Sequence, residues 1–256
     1  MSKMKTICVH SYKGGTGKTT FLLNIAGILA KKGKTILAID YDLRAPSFQS
    51  YFKMTKQSFL SHYLLEEKTI KEIIFPCKID EKANLDLIFS SMEFLKQHST
   101  QRDKLSRDDA KYLAKMFNLQ KSLEEKYDFM LIDTIPGFFY RSIDSMIISD
   151  IILLIATPST SNVLGIEELC SNIYSVLKDE TKMILIINKI EDEGVDADKE
   201  IFEENLAKLR VIGKNKFSHV IEVPYYNILS ERIHAFEVQP QEEFLESLLG
   251  VIELFE

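Results

Sequence analysis

Between residues 13 and 20 the chain reads Lys13-Gly14-Gly15-Thr16-Gly17-Lys18-Thr19-Thr20. Three glycines let successive backbone N–H groups turn toward a single ligand, and the chemistry such a segment supports is phosphate binding. An apolar run precedes the segment and a helical pattern follows it. The loop therefore joins a strand to a helix N-terminus, where unpaired N–H groups and the helix dipole favour an anion. Lys18 is placed to reach the β- and γ-phosphates of a nucleotide, and Thr19 to offer its hydroxyl to Mg²⁺. The general pattern G-x-x-x-x-G-K-[ST] is met except at its first glycine, where this chain has Tyr12.

Carboxylates and polar groups recur at the ends of other apolar runs. Asp40 and Asp42 close the run Leu37-Ala38-Ile39-Asp40-Tyr41-Asp42, and Asp133 closes Phe129-Met130-Leu131-Ile132-Asp133. Asn188 follows Ile186-Ile187, and Val223-Pro224-Tyr225 ends the last such run. Each has a bland reading, since an Asp at a strand end also caps the following turn and Asn188 could be an ordinary loop residue. Their shared position favours the functional reading, because open α/β sheets bind ligands at the carboxyl ends of their strands.

The elements that must position these residues follow from the hydrophobic pattern. Short runs rich in Ile, Leu and Val at 6–11, 35–40, 85–89, 129–133, 151–157, 183–188 and 220–223 read as strands buried on both faces. Helical patterns at 19–32, 107–126, 162–177 and 196–209 separate them. This alternation predicts a doubly wound, mainly parallel sheet with helices on both faces. No repeat or linker divides the chain, so residues 1–256 are expected to form one domain, with 43–84 an elaboration that holds local helical patterns such as 58–67.

Composition narrows the function class. The chain has 256 residues, 45% hydrophobic and 27% charged, which excludes a disordered or collagen-like protein. Net charge is −6, so bulk charge does not coat nucleic acid. Cys8, Cys77 and Cys170 are far apart and form no CxxC pair, and the five histidines have no ligand spacing; reduced cysteines in a cytoplasmic protein are expected. The apolar stretch behind Lys3 and Lys5 is too short for a signal peptide or a membrane span.

The loop K-G-G-T-G-K-T-T resembles the deviant Walker A motif of the ParA/MinD family of ATPases, and the resemblance extends over nearly the whole chain. It implies ATP with Mg²⁺ as ligand, slow hydrolysis to ADP and phosphate, and an ATP-dependent homodimer that serves to partition or position DNA or another cargo. Lys13 is implied to reach the partner's phosphates, Asp42 to orient the attacking water, and Asp133 to hold Mg²⁺ through water. Asn188 matches the residue that hydrogen-bonds adenine, and Val223, Pro224 and Tyr225 match the segment whose backbone lines the base. Ser11-Tyr12-Lys13 with Asp42-Leu43-Arg44-Ala45-Pro46 is similar to a branch with S-Y-K-G-G and D-x-D-L-x-A-P motifs. The Asp-Leu-Arg-x-Pro portion also resembles bacterial tyrosine kinases, but the C-terminus lacks their tyrosine cluster. The alternative is thus a ligase-like or kinase-like enzyme that uses ATP without a sandwich dimer.

Partners are less legible. The final helical pattern, about 241–255, places Phe244, Leu248, Ile252 and Phe255 on one side but is rich in Glu, so packing on the sheet is expected rather than a membrane anchor. Lys104, Arg107, Lys111 and Lys115 recur at helical spacing, and Lys208, Arg210, Lys214 and Lys216 form a second basic group. In this family such patches contact DNA without sequence preference; a solvated face is the bland reading. An activating protein partner is implied by the resemblance and not named by any residue.

Overall fold

The computed structural model describes residues 3–52, 58–79, 84–92, 105–173, 177–190, 196–226 and 242–255. Eight strands form one sheet: β1 (Lys5–His10), β2 (Ile36–Asp40), β3 (Phe75–Lys78), β4 (Asn84–Ile88), β5 (Phe129–Asp133), β6 (Ile151–Ala156), β7 (Lys182–Ile190) and β8 (His219–Pro224). Their order is β3-β4-β2-β5-β1-β6-β7-β8, and every pairing is parallel except β3 with β4. The expected doubly wound sheet is therefore present. From β1 the chain crosses to β2 on one side, and after β5 it crosses to β6 on the other. The carboxyl ends of β1, β5 and β6 thus flank the point where the winding reverses, which is where such sheets bind ligands.

Among the described residues the helices are α1 (Lys18–Lys31), α2 (Phe48–Tyr51), α3 (Leu60–Leu64), α4 (Ile70–Ile73), α5 (Leu105–Leu123), α6 (Tyr140–Ile148), α7 (Thr160–Ile173), α8 (Asp196–Lys216) and α9 (Glu242–Glu253). Successive strand residues face opposite sides, as the period of two requires. Ile7, Val9, Leu131, Leu153 and Ile186 pack with α1 and α9; Leu37, Ile39 and Met130 pack with α3 and α5; Cys8, Leu154 and Leu185 pack with α7 and α8. Burial of both faces explains why the strands read as unbroken apolar runs.

The sequence reading missed β3 and α6, and placed the end of α8 too early, at 209 instead of Lys216. β3 is only four residues long and contains Pro76. A proline is tolerated there because β3 is an edge strand that need not donate on its outer side. Cys8 and Cys170 are buried, whereas Cys77 on that edge is half-buried; all three are unpaired.

The amphipathic face of α9 packs inward: Phe244, Leu248, Ile252 and Phe255 all join the cluster on α1. Phe244 makes edge-to-face contacts at 5.6 Å with both Phe21 and Tyr226. Phe244→Leu keeps an apolar side chain but loses both ring contacts, at about 0.5–1.5 kcal/mol each. A loss of about 1–3 kcal/mol is expected, read as a lower urea midpoint with unchanged slope. No described helix is long and apolar enough to cross a membrane.

Candidate functional site

β1 ends at His10, and the loop from Ser11 to Gly17 leads straight into α1. Gly15 and Gly17 have φ of 77° and 102°, left-handed backbone that glycine alone adopts without penalty. Gly17 is constrained twice, because a Cβ there would lie 2.8 Å from the Asn188 amide nitrogen. Two neighbours at the end of β7 hold the loop: Asn188 Nδ2 donates to the Thr16 carbonyl at 2.8 Å, and Lys189 Nζ to the Gly15 carbonyl at 2.9 Å. A trans peptide directs its N–H opposite to its C=O. Tying these two carbonyls to β7 therefore turns the N–H groups of Thr16 and Gly17 away from it, toward the loop's interior. Lys189 itself has φ of 59°, strained for a side-chain-bearing residue and marking the clamp as built.

Lys18 opens α1 and is only 8% exposed. One residue on, Thr19 Oγ1 donates to Asp133 Oδ2 at 2.5 Å, so the first turn of α1 is fastened to the end of β5. Ser47, after β2, stands beside both: its Oγ is 3.2 Å from Thr19 Oγ1 and 3.4 Å from Asp133 Oδ2. Burial pushes the Asp133 carboxyl up to about 6, with Lys18 and the Thr19 hydroxyl opposing and Asp42 reinforcing. Asp133 Oδ1 is buried with no hydrogen-bond partner in the protein.

Asp40 and Asp42 divide their work. Asp40 is fully buried; its Oδ1 accepts from Asp42 N, and its Oδ2 from Ser47 N at 2.8 Å and Phe48 N at 3.0 Å. Burial first, then the neighbouring Asp133 charge, raises its carboxyl to about 8, against the pull of those backbone donors. Asp42 Oδ1 caps the following turn by accepting from Arg44 N and Ala45 N at 3.0 and 2.9 Å. Three carboxyl groups thus gather at the carboxyl ends of β2 and β5, with the Lys18 charge bearing on Asp133, and burial, reinforced by neighbouring carboxylates, raises the pKa of two of them. The hard oxygen donors of Thr19, Ser47 and Asp133, with the unpartnered Asp133 Oδ1, fit a divalent cation such as Mg²⁺.

A cavity of about 270 Å³ opens beside the loop. Gly15, Gly17, Lys18, Thr19 and Thr20 line it, with Asn188 and Lys189 clamped to the loop beside them and Pro224 and Tyr225 from the end of β8. Phe21, Tyr51, Tyr226 and Phe244 form its apolar wall. Of the residues singled out from sequence, Val223 is fully buried behind Pro224, and Thr16 is buried in the loop with its carbonyl on Asn188. Gly14 and Lys13 are exposed on the outer limb of the loop. Tyr12 packs its ring onto Gly165 of α7, where a Cβ would come within 2.0 Å, and the Lys13 ammonium stands 5.9 Å from that ring. Sequence reasoning missed Ser47, Tyr51, Lys189, Tyr226 and Phe244. The Asn188-Lys189 pair was visible, but nothing in its spacing foretold that the lysine would bind the glycine loop.

The basic groups are partly spoken for. Lys111 and Lys115 of α5 both pair with Glu66, at 3.4 and 2.9 Å. Lys104 and the Arg107 side chain lie outside the described residues. On α8, Lys208 pairs with Glu204, and Arg210 makes a two-pronged contact with Glu222.

Comparison with known proteins places this geometry among relatives. A family model described as "AAA domain" matches residues 4–187. A ParA family protein of Chlamydia pneumoniae is 32% identical over 179 residues, 68% of this chain and 66% of that protein, so the match falls just short of two thirds of the relative's length. Among solved structures, a Borrelia burgdorferi plasmid partition protein bound to AMPPNP superposes with TM-score 0.75 at 23% identity over the full length of both chains. The septum site-determining protein MinD of Pyrococcus horikoshii, solved with Mg-ADP, gives TM-score 0.66 at 20% identity over 98% of this chain and 97% of that one.

Proposed function

The chain belongs to the ParA/MinD family of P-loop ATPases, and on that premise we propose that it is an ATP-dependent dimerisation switch serving to partition or position DNA or another cargo. The observation that carries this reading is the unequal placement of its two loop lysines. Lys18 is buried at the cavity, while Lys13 is exposed and does not line it. One cation is thus built into the chain's own site and the other is available to a second copy.

In this reading ATP lies with its phosphates against the N–H groups of the loop and its base between Asn188 and the Pro224-Tyr225 backbone. Asn188 Nδ2 is committed to Thr16, which leaves its carbonyl oxygen to accept from an adenine amino group. Thr19, with Asp133 through water, would hold Mg²⁺, which supplies charge neutralisation on the phosphate oxygens. Hydrolysis is slow and needs little covalent help: Lys18, the partner's copy of Lys13 and the ordered loop amides offset charge as the γ-phosphate departs, and Asp42 orients water. DNA contact is left outside the proposal, since two cations of the α5 face already share Glu66.

Asp42→Ala is expected to keep ATP binding and lose turnover by roughly 100-fold, at the lower end of what a positioned base contributes. It should accumulate as an ATP-bound dimer. Phosphate release with parallel light scattering reads both effects. Wild-type turnover would move water orientation away from Asp42.

A further inference from the structure

Ser47 belongs to none of the motifs that identify the site, yet its hydroxyl sits within it. Three oxygens from three chain segments converge there: Thr19 Oγ1 from α1, Asp133 Oδ2 from β5 and Ser47 Oγ from the loop after β2, with separations of 2.5, 3.2 and 3.4 Å. The Ser47 backbone is held in place from below, because its N–H donates to Asp40 Oδ2 at 2.8 Å. The second oxygen of Asp133, a residue only 2% exposed, has no partner in the protein. A buried carboxylate oxygen without a donor is costly, and on the carboxylate whose other oxygen meets the two hydroxyls it points to a missing positive ligand.

The spacing suits a small hard cation. Adjacent ligands of an octahedron with metal–oxygen distances of 2.0–2.1 Å stand about 2.9 Å apart. The Thr19–Ser47 separation of 3.2 Å is close to that edge. Thr19 Oγ1 donates directly to Asp133 Oδ2, which is compatible with a carboxylate that would reach the cation through a water. Both hydroxyls keep lone pairs for a cation while giving their protons elsewhere.

Resting on the nucleotide-site reading above, we infer that Ser47 Oγ is a further Mg²⁺-ligating oxygen beside Thr19. Asp40 is then a positioning residue, which acts through the Ser47 N–H and not on substrate. This gives the first carboxylate of the Asp40-Tyr41-Asp42 element a task distinct from that of the second. It also ties metal occupancy to the loop that carries Asp42, since both stand on the same turn between β2 and α2.

The test is the Mg²⁺ dependence of binding of a fluorescent, non-hydrolysable ATP analogue, measured on the full chain in EDTA and in rising Mg²⁺. Ser47→Ala should leave metal-free affinity within about two-fold and raise the Mg²⁺ concentration for half-maximal enhancement about ten-fold, the lower end of the effect of losing one metal-supporting group. Ser47→Thr, which restores a hydroxyl, should return to wild-type behaviour. An unchanged Mg²⁺ requirement in Ser47→Ala would overturn the assignment, as would equal losses in the Ala and Thr variants, which would mark Ser47 as a loop-shaping residue only. Thr19→Ala separates the two levels of the argument. If it too matches wild type, the metal reading of the whole site fails, and Ser47 with it.

Discussion

Lys18→Ala should lose ATP affinity by roughly 1,000-fold, the largest effect expected of any single substitution in this chain. Lys18 is 8% exposed at the head of α1, and its charge bears on Asp133 and His10. Two charge-assisted hydrogen bonds to adjacent phosphates, at about 1.5–3 kcal/mol each, account for that loss. Removal of the ammonium also takes away the positive charge that favours the ionised Asp133 carboxylate at the end of β5. The binding loss should therefore come with a modest drop in stability at neutral pH. Isothermal calorimetry on protein checked by circular dichroism measures it; tight binding by a folded Lys18→Ala protein would refute the placement of the phosphates.

The fold was legible in the sequence where burial is two-sided. Runs such as Ile152-Leu153-Leu154-Ile155 can hardly be anything but central strands, because α1 and α9 cover one face and α7 and α8 the other. The edge was not legible: Phe75–Lys78 has four residues, a proline and one shielded face, and its pairing with β4 comes from the tertiary context. The α8 boundary ran past Leu209 because Gly213 is tolerated in the helix, where its missing side chain admits Val220.

The site was legible wherever a residue type is forced by chemistry at fixed spacing. Gly15 and Gly17 must be glycine for their φ, and Lys18 and Thr19 follow them in register. Residues that reach the site from a distance left no such mark. Ser47 arrives because Asp40 holds its N–H, and Tyr51 and Phe244 because α2 and α9 dock beside α1. A serine seven residues after an aspartate has no periodicity to betray it.

Lys13→Ala should separate binding from action. Lys13 is exposed on the outer limb of the loop and does not line its own cavity, so ATP affinity of the single chain should stay within a few-fold of wild type. If two ATP-bound chains meet face to face, the same lysine enters a partly dehydrated interface next to the partner's γ-phosphate. Electrostatic interactions there exceed those in water. Loss of one preorganised cation or donor from such a site costs about 100- to 1,000-fold in rate. Hydrolysis should fall by that amount, and dimerisation should go with it. Equal mixing with Asp42→Ala protein should recover at most one working site per dimer: the Lys13→Ala chain keeps its own Asp42 and receives a lysine from its partner, whereas the opposite site lacks both.

Sedimentation velocity with and without ATP and Mg²⁺, run on the wild type and on Lys13→Ala, tests the central claim most directly. The switch predicts a wild-type chain that sediments as a monomer without nucleotide and as a dimer with ATP, and a Lys13→Ala chain that binds ATP yet stays monomeric. A wild-type chain that remains monomeric with saturating ATP, or a Lys13→Ala chain that dimerises normally, would contradict it and favour an enzyme that uses ATP within one subunit.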